Sequence, residues 1–158
     1  MIKENLRILR EDIENKCKEA GRNSSEIKLI AVSKNFGKEE ILAAFNEGVT
    51  DFGENKAQEL DAKAAQIHEN INWHFIGNLQ RNKVRFAVKS AEVIHSVDSL
   101  LLAAEINKQA VKINKVQKVL VQVNTSGEET KGGVENESEL KDLFSYCNDF
   151  PGIEAIGL

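Results

Sequence analysis

Apolar runs recur along this chain at intervals that leave room for one helix between neighbours. The first, "IKLIAVS", covers 27–33; others fall at 49–53, 72–77, 92–97, 117–124 and 153–158. Each is short, apolar and rich in β-branched or aromatic residues, which predicts a buried strand. Between them, apolar residues step by three and four, which predicts helices over about 38–47, 55–69, 79–90, 98–114 and 137–148. Ile2, Leu6, Leu9, Ile13, Cys17 and Ala20 repeat the same spacing and predict a helix before the first strand. Gly48 sits where a helix C-terminus favours a left-handed residue, and Asn55, Asp98 or Ser99 are placed to cap helix N-termini. Regular strand–helix alternation predicts an α/β chain with a parallel sheet covered by helices. An open doubly wound sheet and a (β/α)8 barrel both satisfy the pattern. A barrel needs eight strands and usually about 250 residues. Six strands in 158 residues therefore imply either an open sheet or an incomplete barrel, as a single domain over 1–158.

Composition narrows the function classes. The formal net charge of −4 gives no global basic field, so no nucleic-acid partner is expected. No apolar stretch approaches the roughly 18 residues of a membrane span, and the charged N-terminus "MIKENLRILRED" lacks a signal-peptide core. A cytoplasmic location without membrane contact is the expectation. Cys17 and Cys147 lie in helical patterns and are expected to be reduced thiols. His68, His74 and His95 show no metal-ligand spacing, so no metal site is expected.

In parallel α/β architectures, functional groups gather beyond the carboxyl ends of the strands. Lys34 ends the first apolar run. Strand alternation places it on the face of Ile30 and Val32. It reads either as a lysine whose stem packs while its ammonium reaches water, or as an amine nucleophile for a carbonyl compound. With an ordinary pKa near 10.4, about 1 lysine in 2,500 is neutral at pH 7, and partial burial would raise that fraction. "DFGENKAQE" follows the second strand, where Asn55 either caps the next helix or reaches a ligand. In "NWHFIGNLQRNKVR", Trp73 and Phe75 share one strand face and His74 and Ile76 the other; His74 reads as a satisfied core residue or a ligand contact. Gln122 and Asn124 in "VLVQVNTSGEETKGGV" need polar partners, from a ligand or from a side-chain network. The loop "SGEETKGG" lacks the spacing of a phosphate-binding P-loop, and no Gly-x-Gly-x-x-Gly follows any strand.

Taken together, "LIAVSKNF", "FGENKAQE", "WHFIGNLQRNKV", "IHSVDS" and "VLVQVNTSGEETKGGV" resemble the YggS/PROSC family in order and spacing, from about Asn5 to Leu158. These are the pyridoxal 5′-phosphate (PLP) homeostasis proteins. The resemblance implies an alanine racemase N-terminal-like (β/α)8 (TIM) barrel. It implies PLP as cofactor, carried as a Schiff base on Lys34, with Asn55 and His74 lining the pocket. It implies no catalytic residues and no established turnover, with PLP-accepting apo-enzymes as partners. A PLP-dependent enzyme of the alanine racemase class is the alternative, weakened by the absence of a second acid–base tyrosine: Tyr146, the one tyrosine, lies in a helical stretch. An interaction module is a further alternative.

The sequence departs from the family in two places. It stops at "EAIGL", before the last two βα units, which in the family supply the phosphate cradle and an arginine facing the pyridine nitrogen. On that basis the chain is expected to bind PLP weakly or not at all by itself and to expose two barrel edges through which it could self-associate. Gly37 also stands where many members carry a proline, which should loosen the loop after Lys34.

Overall fold

The computed structural model describes residues 1–127 and 132–158. Helix α1 (Ile2–Glu19) precedes five strand–helix steps and a sixth strand: β1 (Ala31–Val32), α2 (Lys38–Asn46), β2 (Asp51–Glu54), α3 (Ala57–Gln66), β3 (Asn72–Phe75), α4 (Val84–Ser90), β4 (Val93–Val97), α5 (Leu100–Lys112), β5 (Gln117–Val121), α6 (Glu137–Asp149) and β6 (Ile153–Gly157). All pairings are parallel, and the strands lie in the order β1-β2-β3-β4-β5-β6. A doubly wound sheet reverses its order at a switch point. Here every crossover steps one place in the same direction, so with right-handed crossovers all helices cover one face and the other is left as a concave inner surface. This is the architecture of an incomplete (β/α)8 barrel.

The core lies between sheet and helices. Phe52, Trp73, Phe75, Ile94, Val119 and Ile153 meet Ile41, Leu60, Val84, Val88, Ile106 and Leu143 there. The alternation expected in the third strand is found: Trp73 tilts against Phe52 in the helix-facing layer, with ring centroids 6.1 Å apart. The inner face is less covered, and Val32 and Ile156 are 46% and 48% exposed on it. Cys17 and Cys147 are both free and buried. Among the described residues no helix is long and apolar enough to cross a membrane.

Several element boundaries differ from the sequence expectation, each for a local reason. The first strand was expected over 27–33, but only Ala31–Val32 pair. Extending the register from Ala31↔Phe52 sets Ile27–Leu29 opposite Gly48–Thr50, where the chain is leaving α2 and offers no strand. The helix expected over 55–69 begins at Ala57, and Lys56 rather than Asn55 occupies its N-cap position. The helix expected from 79 opens as a 3-10 turn, Arg81–Lys83, and becomes α-helical at Val84, where the buried Val84, Ala87 and Val88 first set a helical spacing. The fifth strand was expected to reach 124. Beyond Val121 the chain instead bonds its own loop, with the Val134 N–H donating to the Gln122 carbonyl and the Asn124 N–H to the Val134 carbonyl. Gly48 does end α2 as expected, at φ 83°, with its own N–H on the Phe45 carbonyl and that of Val49 on the Ala44 carbonyl.

Gly77 lets β3 leave the sheet directly against β2: a Cβ there would lie 2.2 Å from the Asn55 carbonyl oxygen. Gly77→Ala is therefore expected to lower stability by about 1–3 kcal/mol, the range for overpacking a tight contact, and to displace the Asn55 backbone. Urea denaturation with amide chemical shifts at Asn55 checks both; an unchanged midpoint and unchanged shifts would contradict the close approach.

Candidate functional site

Two polar clusters cross the sheet, one on each face. On the helix-facing side, Glu54 ends β2 with its side chain fully buried. Its Oε1 accepts the Ser33 hydroxyl at 2.5 Å and the Lys63 ammonium at 2.7 Å. Lys63, on α3, also donates to the Ser33 carbonyl at 2.9 Å and to Glu59 at 2.8 Å. Burial opposes the charge on Lys63, but its bonds to Glu54 and Glu59 outweigh that and raise its pKa above the ordinary value. Glu54 Oε2 is buried with no partner among the described residues. Removing one member of such a pair strands the other, at a cost of about 3–5 kcal/mol, whereas replacing both by apolar groups is often neutral.

On the inner face, Asp51, His74 and His95 form a line across three strands. Asp51 Oδ1 lies 2.9 Å from His74 Nε2, and His74 Nδ1 lies 2.8 Å from His95 Nε2. Asp51 also accepts from Lys28 at 2.8 Å and from Thr50 at 2.7 Å. Burial pushes the Asp51 carboxyl up; the bonds from Lys28, His74 and Thr50 overcome it and hold the group well below the usual carboxylate range. The Asp51 charge sets Nε2 of His74 as the donor to the carboxylate, and one proton lies between Nδ1 of His74 and Nε2 of His95. Burial first, and His74 second, push the pKa of His95 below its ordinary value.

The three residues expected at a cofactor site are placed differently from one another. Lys34 lies in the turn after β1, before Asn35 at φ 67°. It is exposed rather than partly buried as the strand pattern suggested, because β1 ends at Val32 and Lys34 lies in the turn beyond it. Its ammonium makes no hydrogen bond or ion pair among the described residues. Ser33 turns its hydroxyl to the helix layer, and alternation sets Val32 on the inner side. Asn55 is exposed just past β2 and lines a cleft of about 300 Å³ with Phe75, Asn78 and Lys83. His74 is buried, and both its ring nitrogens are engaged. The structure thus brings Lys34 and Asn55 to the carboxyl ends of adjacent strands and sets His74 within the sheet.

Gln122 and Asn124 find partners in the loop that follows β5. Gln122 donates to the Gly132 carbonyl at 2.6 Å, while Asn124 Oδ1 accepts from the Ser126 hydroxyl and the Gly127 N–H. The central part of "SGEETKGG", 128–131, lies outside the described residues. Among the described residues no group of three or more His, Cys, Asp or Glu could hold a metal ion. Sequence reasoning passed over Asp51 and Lys63 and left Glu54, at a strand end, and His95 without a role. The available signal was two carboxylates flanking Phe52 and Gly53 in a strand expected to be buried, since a buried carboxylate must be paired.

Both shifted groups on the inner face contribute stability that is lost on acidification. An unfolded chain protonates this histidine near pH 6.5 and the folded one only below that, so the His95 contribution is present above about 6.5 and declines as pH falls. The Asp51 contribution is present above about 3.8 and is lost below it. Denaturation midpoints measured against pH should fall in these two windows. His95→Gln should remove the upper decline and Asp51→Asn the lower, the latter also losing about 1–3 kcal/mol at pH 7 with its bonds to a charged acceptor. Variant profiles parallel to the unaltered one would refute the assignment.

Known proteins share both this sequence and this shape. Residues 2–158 match the family described as alanine racemase, N-terminal domain. The pyridoxal phosphate homeostasis protein of Aquifex aeolicus is 44% identical over 156 residues, covering 98% of this chain and 68% of that protein. A solved structure of PipY from Synechococcus elongatus with PLP bound is 31% identical, covers 100% of this chain and 69% of that one, and superposes with a TM-score of 0.83. An alanine racemase of Clostridium difficile, at 20% identity and a TM-score of 0.74, shares the fold over 98% of this chain and 39% of its own. With matches that run nearly end to end, this chain belongs to the alanine racemase N-terminal domain family and, within it, to the pyridoxal phosphate homeostasis proteins.

Proposed function

We propose that this chain takes part in PLP homeostasis by holding PLP as a Schiff base on Lys34, without catalytic turnover. The observation that carries the proposal is an amine with no competing partner among the described residues, at the carboxyl end of β1, in a chain whose relative PipY is solved with PLP bound. PLP supplies an aldehyde, with which a neutral lysine amine condenses to release one water. The chain's own groups fit that requirement. Lys34 makes no ion pair among the described residues and stands open to the aldehyde, and Asn55 offers an amide from the adjacent strand end. His74, held by Asp51 and His95, stiffens the inner wall below them.

The absence of turnover is supported by the placement of the tyrosine. Tyr146 is on α6, stacked on Phe150 at 4.0 Å in the helix layer, and is not at a strand end where a second acid–base group would be needed. Transfer of PLP to apo-enzymes, a cytoplasmic location and a single domain over 1–158 are parts of the same proposal. So is self-association through β1 and β6, which each pair on one side only.

Incubation with PLP, borohydride reduction and peptide mass spectrometry should place one adduct on Lys34, and Lys34→Ala should lower total labelling at least about tenfold. Amino acids added to the loaded protein should show no loss of chirality and no keto acid. Labelling spread over surface lysines, or unchanged in Lys34→Ala, would contradict the assignment.

A further inference from the structure

Lys34 and Asn55 each directly follow a member of the buried cluster on the helix-facing side: Ser33 precedes one and Glu54 the other. Ser33 is held at every polar group it has. Its N–H donates to the Gly53 carbonyl at 2.9 Å, its hydroxyl to Glu54, and its carbonyl accepts from both Lys63 and the Phe36 N–H. The oxygen of the peptide that leads into Lys34 is thus fixed by two donors. The Glu54 carbonyl in turn accepts the Ile76 N–H at 2.9 Å, tying the start of Asn55 to β3. One ion pair therefore spans the bases of both residues, from behind the sheet.

We propose, on the basis that Lys34 is the PLP-carrying amine, that Glu54 and Lys63 are positioning residues which set Lys34 and Asn55 at a fixed spacing. Stability alone does not call for charge here, because an apolar pair of similar volume fills such a site about as well. Only a polar pair can grip a hydroxyl and a carbonyl on the neighbouring strand. The buried, unpartnered Oε2 of Glu54 points the same way, since the arrangement leaves an acceptor unsatisfied to keep Oε1 on Ser33 and Lys63. The grip matters most at β1, whose ladder is two residues long. The turn beyond it, with Asn35 at φ 67°, is otherwise tied to helix-layer carboxylates, the Asn35 backbone to Glu59 and the Gly37 N–H to Glu40.

The double variant Glu54→Leu/Lys63→Met separates position from stability. Two quantities are read: the rate of adduct formation on Lys34 with PLP under borohydride, and ligand-free hydrogen exchange of the Phe36 amide. A folded double variant is expected to form the adduct at least about tenfold more slowly and to exchange at Phe36 at least about tenfold faster. Lys63→Arg, which keeps a cationic donor, is expected to retain most of the rate. A double variant that folds with both quantities within twofold of the unaltered chain overturns the proposal. Should the double variant not fold, Ser33→Ala removes the hydroxyl arm alone; slower labelling with faster exchange supports the proposal, and no change in either overturns it. If the unaltered chain forms no Lys34 adduct, the PLP assignment fails and this inference with it. A normal adduct beside an unaffected variant removes the inference alone.

Discussion

A parallel strand cannot pair with its predecessor without a crossover, and in this chain every crossover steps one place in the same direction. That constraint sends the helices to one face and leaves the other as a concave surface lined by alternate strand residues. Everything of chemical interest follows from which side a residue takes. Phe52, Trp73 and Phe75 go to the helix layer and make the core. Asp51, His74 and His95 take the inner face and join into one line.

The two faces handle charge differently. Behind the sheet, Glu54 and Lys63 are withdrawn from water and bonded to Ser33 and Glu59, an arrangement that fixes backbone as well as side chains while leaving Glu54 Oε2 unpartnered among the described residues. On the inner face, Asp51 keeps its charge through Lys28, Thr50, Asn72 and His74, and His74 in turn bonds His95. Lys34 stands apart from both. It is exposed and has no acceptor among the described residues.

Much of this was legible in the sequence because period and position carry it. Strand alternation foretold that His74 and Ile76 would oppose Trp73 and Phe75, and regular strand–helix spacing foretold the parallel sheet. What pattern could not supply was register. The shortness of β1 depends on where β2 begins, and the bond from His74 to His95 depends on the pairing His74↔Val93, which sets His95 two residues further along. Neither distance exists along the chain. Nor does the reach of Lys63 across thirty positions to Ser33, although a carboxylate at the end of a buried strand announced that some cation had to come. Asn55 as a helix cap failed for a related reason: its carbonyl packs on Gly77, so the helix starts later.

The proposed PLP site lies at the strand ends beside Lys34. Backbone and imidazole chemical shifts followed during a titration with PLP test it most directly. The account predicts that the largest changes fall on Lys34, Asn55 and His95, with the helix layer around Leu60 and Ile106 unmoved. Changes confined to the helix-facing side, or a titration that moves none of the three, would contradict it.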